Sequence, residues 1–135
     1  DVKVVDVPMF RNKTFEPHTP AIFTEAFTRE LVLSGFFQIN RPNPDSTLQG
    51  TISRIQISHS SLNTSGLAVE KSATVDVELV LTKNTGQVVR HWKLTESEPY
   101  RVDDVNLEDF NKRAALKRAA ARMSRRFSAL LLADY

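Results

Sequence analysis

The chain has no cysteine, four glycines, three histidines and one tryptophan in 135 residues, and each scarcity closes off a class of chemistry. Without cysteine there is no thiol nucleophile, disulfide or thiolate zinc site, although cysteine usage does not by itself separate cytosol from periplasm. So few glycines make no Gly-rich loop able to cradle phosphate, and no serine stands in a Gly-x-Ser-x-Gly elbow. His18, His59 and His91 show neither Glu-x-x-His nor His-x-x-x-His spacing, so no pair is aimed at one metal ion. Asp103-Asp104 is an adjacent acid pair whose position supplies nothing to perturb a pKa, and it reads as a strand end or the start of a capping region. No apolar run approaches the ~20 residues that cross a bilayer. A formal charge of +2 is too small for whole-molecule attraction to nucleic acid, so electrostatic arguments rest on local clusters. Together the absences predict a domain without catalysis, metal or cofactor.

What is present reads as one domain over residues 1–135, a length that buries roughly two-thirds of the unfolded surface, with no linker tract. Val2, Val4, Val5 and Val7 are β-branched and run to Pro8, which predicts a first strand over about residues 2 to 9. The opening on Asp1 rather than Met, directly in that run, predicts an upstream segment removed by processing or trimming. Thr19-Pro20 supplies an N-cap hydroxyl and a proline at the first helical position. Phe23, Phe27 and Leu31 then recur at i+4 up to a Ser34-Gly35 stop. Phe36 to Asn40 reads as a short strand and Arg41-Pro42-Asn43-Pro44-Asp45 as a loop.

From Leu48 the chain is strand-like, and the buried parity of Leu48, Gly50 and Ile52 switches to that of Ile55 and Ile57. A β-bulge near Ser53-Arg54 accounts for the switch. After the polar turn Ser60 to Gly66, the residues Leu67, Val69, Ala73, Val75, Val77, Leu79 and Leu81 keep one parity. Asn84-Thr85-Gly86 turns the chain into a last strand ending near Glu96, with Val88, Trp92 and Leu94 inward. A helix over about Leu107 to Leu132 follows, with Asn106 as candidate cap and Leu116, Ala120, Met123, Phe127 and Leu130 as its buried stripe. The predicted fold is α+β. Its order is β-α-β-β-β-β-α, and two amphipathic helices pack on one face of a mostly antiparallel, mixed, four- to five-stranded sheet.

The last helix carries Lys112, Arg113, Lys117, Arg118, Arg122, Arg125 and Arg126 with no acid among them. At ~100° per residue, Arg118, Arg122 and Arg125 share one sector opposite the apolar stripe. Such a sector is a solvated face that complements the helix dipole, or a contact for an acidic partner or phosphate, which guanidinium forks match. Aromatic interleaving, which single-stranded nucleic-acid binding uses, is absent, so no nucleic-acid partner is expected; a basic-helix nucleic-acid domain stays as the alternative.

The run Val4-Val5-Asp6-Val7-Pro8-Met9-Phe10-Arg11-Asn12-Lys13-Thr14-Phe15-Glu16-Pro17 resembles the opening of the LPS-assembly lipoprotein family LptE. Further matching segments follow in order: Thr24-Glu25-Ala26-Phe27, Ser34-Gly35-Phe36, Leu48-Gln49-Gly50-Thr51-Ile52, Val75-Asp76-Val77-Glu78-Leu79, Thr85-Gly86-Gln87-Val88-Val89 and Ala119-Ala120-Ala121-Arg122-Met123. A valine strand ending in Phe-x-Asn-x-Thr also opens other periplasmic domains, such as the amino-terminal domain of TolB-like proteins. The resemblance implies a Gram-negative outer-membrane lipoprotein on the periplasmic side, held by an acylated cysteine that would lie upstream of Asp1. It implies LptD, a large β-barrel, as partner, with this domain as its plug and assembly factor. It also implies binding of lipopolysaccharide through basic residues near one end of the sheet. The meander brings the Ser60–Gly66 turn and the Ser97–Asn106 loop to one end, which makes His59, Lys71 and Arg101 the candidate lipopolysaccharide contacts.

Overall fold

The long alternating runs dominate the architecture, because each strand that keeps a single buried parity must be laid against a partner of the same parity. A computed structural model describes residues 2–133. It orders them as β1 (Val4–Asp6), β2 (Arg11–Asn12), α1 (Thr19–Ser34), β3 (Gln38–Ile39), β4 (Ser46–Leu62), β5 (Ala68–Lys83), β6 (Val88–Arg101) and α2 (Glu108–Ala133). The sheet has six strands in the order β3-β1-β4-β5-β6, with β2 beside β4. β1 runs parallel to β3 and β4, and β4, β5 and β6 form the antiparallel meander. The α+β class and the order of elements are therefore those expected.

The predicted first strand splits in two. Pro8 cannot donate to a ladder, so β1 stops at Asp6 and pairing with β4 resumes at Arg11↔Thr51. Between them Phe10 drives its ring over Gly50, where any Cβ would collide with it. The Phe10 amide donates to Thr24 Oγ1 of α1 at 2.8 Å. A line of rings then crosses the core: Phe10 to Phe27 at 5.1 Å, Phe27 to Phe127 at 5.5 Å, and Phe127 edge-on to Trp92 at 4.9 Å. Both helices lie over this line, on the face where Leu48, Ile52, Val75, Val77, Leu79 and Leu94 are buried. The register of β4 on β5 slips between Ile52 and Arg54, the bulge that the parity switch required.

Three helix-end and stripe expectations are corrected. Thr19 is not the N-cap of α1: His18 holds that position at φ 67°, and the buried Thr19 hydroxyl donates back to the Glu16 carbonyl at 3.1 Å. At the start of α2 the Leu107 carbonyl takes the amide of Asn111, and the capping-type oxygen is that of Asp104, which accepts from the Asn106 amide. In the buried stripe Leu131 replaces Leu130, which is 42% exposed, because the i+4 step from Phe127 lands on residue 131. The Ser34-Gly35 stop is as expected, with Gly35 at φ 73° and its amide on Val32.

Candidate functional site

An antiparallel hairpin returns its strands to the same end, and that end is tied together by backbone. Asn63 closes the turn: its amide donates to Leu67, and its Oδ1 accepts from Ser65 and Leu67. The Val102 amide donates to Val69, so the loop after β6 is sewn to the start of β5. His59, Lys71 and Tyr100 lie side by side in register across β4, β5 and β6. His59 and Lys71 line a shallow 380 Å³ cleft with Asn63, Leu67, Val69 and Val102. Lys71 Nζ is already paired, at 3.1 Å from Glu108 Oε2 in the first turn of α2.

Arg101 reaches the same end but not the same face. Its register partner is Glu70, one residue out of phase with the Lys71–Tyr100 pair, so strand alternation turns its side chain to the open face of the sheet. There it grips Asp103 in a fork, Nε to Oδ1 at 3.2 Å and Nη2 to Oδ2 at 2.7 Å. The hydrogen bond from Arg101 holds the Asp103 carboxyl below the usual carboxylate range. Each basic candidate at this end except His59 thus carries its own carboxylate.

The basic sector of α2 divides. β6 does not end near Glu96 but continues to Arg101, and Glu96 and Glu98 keep the inward parity of Trp92 and Leu94 under α2, each 7% exposed. Arg122 Nη2 meets both oxygens of Glu98 at 3.1 and 3.2 Å, and its Nη1 lies 3.5 Å from Glu96. Arg126 reaches Glu96 at 2.6 Å and Arg118 reaches Glu98 at 3.4 Å. The same helix also covers backbone, since Arg118 donates to the Pro99 carbonyl at 2.7 Å and Arg126 to that of Thr95 at 3.0 Å. Arg118 and Arg122 are thereby engaged within the chain, while Arg125 is exposed and makes no ion pair among the described residues.

Sequence reasoning missed this ladder because inward glutamates read as the end of a strand. The signal that would have found it is the match of two periods: acids two apart on β6 and arginines four apart on α2. Among the described residues no group of three His, Cys, Asp or Glu side chains is placed to hold a metal ion. No helix there is long and apolar enough to cross a membrane.

The chain matches the family model for LptE, lipopolysaccharide-assembly, over residues 2–131. It belongs to that family. Similar solved structures include rare lipoprotein B from Shewanella oneidensis, 14% identical over 96% of this chain and 95% of that one, with a TM-score of 0.64. A minor lipoprotein from Acinetobacter baumannii is 15% identical over 96% and 92% of the two chains, at TM-score 0.58. The PelC dodecamer subunit from Paraburkholderia phytofirmans is 17% identical over 93% and 85%, also at 0.58. At these identities the likeness is one of fold. A comparison with curated proteins finds no match.

Proposed function

We propose that this chain is a non-enzymatic, single-domain outer-membrane lipoprotein on the periplasmic side, anchored through an acylated cysteine upstream of Asp1. It plugs the LptD β-barrel, aids its assembly and engages lipopolysaccharide. The observation that carries the reading is the LptE family match across nearly the whole chain. Two physical features support it. The sheet face turned away from the helices is dressed with Thr47, Gln49, Thr51, Thr74, Asp76, Glu78, Lys93, Thr95 and Ser97. Such a surface suits a water-lined barrel lumen, not lipid. At the hairpin end the exposed Leu67 lines the cleft with Lys71 and His59, a mixture suited to a ligand with both acyl chains and phosphates.

Contact with phosphate through Lys71 or Arg101 exchanges one anion for another, because Glu108 and Asp103 hold those cations in the free protein. The site is therefore tuned to a ligand of high charge density, which outcompetes a single carboxylate. The reading is tested by pulling down the tagged, lipidated full-length protein from its own envelope. Recovery of LptD is expected, and its absence under conditions that retain the lipoprotein sinks the plug assignment. Binding of purified lipopolysaccharide is expected to weaken when Lys71 and Arg101 are both changed to Ala, and unchanged affinity removes these residues from the site.

A further inference from the structure

The end of the domain where β1 begins exposes apolar side chains beside lysines. Backbone links place the elements that meet there. The Gln38 amide donates to the Lys3 carbonyl and the Asp45 amide to that of Val4, while the Lys3 amide donates to Asp45 Oδ2 and the Asn84 amide to the Asp45 carbonyl. The starts of β1, β3 and β4 and the turn between β5 and β6 therefore share one level, opposite the hairpin end. Both helices finish on that level. Only Gly35, Phe36 and Phe37 separate α1 from β3. α2 descends along β6, meeting Pro99 at Arg118, Thr95 at Arg126 and Trp92 at Phe127, so Leu130 reaches the start of that strand.

Val32, Leu33 and Phe36 are 55%, 72% and 67% exposed, and Val88 and Leu130 at the same end are exposed too. Gly35, at φ 73°, ends the helix between Leu33 and Phe36, so the two stand on a turn and not along a packed helix face. Lys3 is exposed beside them and the half-buried Lys83 pairs with Ser46 at the start of β4. The Asp45 carboxylate of this end is engaged by the Lys3 and Val4 amides. Aliphatic and aromatic side chains next to lysines, whose stems follow apolar surface while their heads reach charge, make an interfacial lipid contact.

We propose that this end lies on the phospholipid leaflet that holds the acyl anchor, an inference that rests on the lipoprotein reading above. Leu33 and Phe36 enter among the acyl chains, and Lys3 and Lys83 sit at the phosphates. An anchor upstream of Asp1 joins the domain at this level, so the contact need not hold the protein on the membrane; it orients a domain that the anchor already keeps there. The 17 residues of β4 then carry the hairpin end about 50 Å from the leaflet.

The chain has no cysteine, so a single one added before Asp1 couples it to a maleimide-bearing lipid. That tethers it to vesicles of phosphatidylethanolamine and phosphatidylglycerol whether or not the natural protein is acylated. Trp92, the only tryptophan, is buried and sets the baseline. In Phe36→Trp the added indole is expected to shift to the blue and to be quenched about twofold by lipids brominated along their acyl chains. Leu62→Trp, at the hairpin end, is expected to show neither, and both variants should keep the parent's circular-dichroism melt. Adding Leu33→Ser to Phe36→Trp should reduce the quenching. An indole at position 36 quenched no more than one at position 62, or quenching indifferent to Leu33→Ser, overturns the inference and leaves the lipoprotein reading standing, because the tether replaces the natural anchor. Full-length protein recovered from its own envelope without an acyl chain, by mass spectrometry, removes that reading and the inference with it.

Discussion

Arg122→Ala is the substitution that distinguishes an internal clamp from an idle charged face on α2. The guanidinium it removes touches both glutamates under the helix, with Glu98 accepting at 3.1 and 3.2 Å and Glu96 at 3.5 Å. Fully burying and then orphaning a carboxylate costs ~3–5 kcal/mol, whereas an exposed pair contributes ~0–1. Here the carboxylates are buried but the guanidinium is half exposed, and Arg118 and Arg126 remain as partners. The expected loss lies between those limits, at about 1.5–2 kcal/mol, with a fall in Tm of roughly 5–9 °C for a domain of this size. Arg122→Lys keeps the charge but not the fork and should lose about half as much. Arg125→Ala, three residues on and without an ion-pair partner among the described residues, should change stability by no more than ~0.5 kcal/mol. Thermal and urea unfolding followed at 222 nm measures all three. Equal melting of the Arg122→Ala and Arg125→Ala proteins would refute the clamp, since nothing else separates those two positions so sharply.

Gly50→Ala puts a Cβ into the Phe10 ring, and overpacking of this kind costs ~1–3 kcal/mol; Phe10→Leu in the same chain should recover part of the loss in urea unfolding. Tyr100 is held neutral by burial and then by the charges of Glu108, Glu16 and Asp109, which push its phenol up to about 12. In a Tyr135→Phe background its ultraviolet titration should centre there. Because the unfolded phenol ionises near the ordinary value of 10.0, the stability that the raised value contributes is complete below that pH and is lost as pH climbs through the folded value; a midpoint at the ordinary value contradicts this. Asp103→Asn releases Arg101 from its fork, so lipopolysaccharide binding should strengthen several-fold at low salt, and unchanged affinity in an isothermal titration removes Arg101 from the contact.

Where burial and periodicity agree, the chain is legible without coordinates. The parity of Ala73 to Leu81 and the switch between Ile52 and Ile55 locate β5 and the bulge, because a strand cannot change its buried face without an extra residue. The Phe23, Phe27 and Leu31 spacing locates α1 for the same reason. Legibility fails where long-range partners reverse a local preference. Glu96 and Glu98 sit inward only because arginines twenty to thirty positions later arrive from above. Thr19 has the chemistry of an N-cap but is buried, and its hydroxyl turns back to Glu16. Turn logic brings His59, Lys71 and Arg101 to one end, yet it does not reveal that Glu108 and Asp103 occupy two of them, nor, without the register, that Arg101 faces the other way.

The charge on α2 then has a geometric meaning that counting cannot supply. Arg118, Arg122 and Arg126 form one i+4 row, and that row is turned onto β6, where it neutralises two buried acids and covers two edge carbonyls. Arg113, Lys117 and Arg125 lie on the row that passes through Ala121, and all three are exposed and without ion pairs among the described residues. A row is a straight line on the helix surface, so the two sets face different surroundings and cannot serve the same contact. An acidic or phosphorylated partner approaching α2 meets the second row, since recruiting the first would strip Glu96 and Glu98 of their counter-charges and uncover the sheet edge. Of the arginines that the sequence placed in one sector, Arg125 is therefore the one free to act outward, and Arg118 and Arg122 hold the fold that presents it.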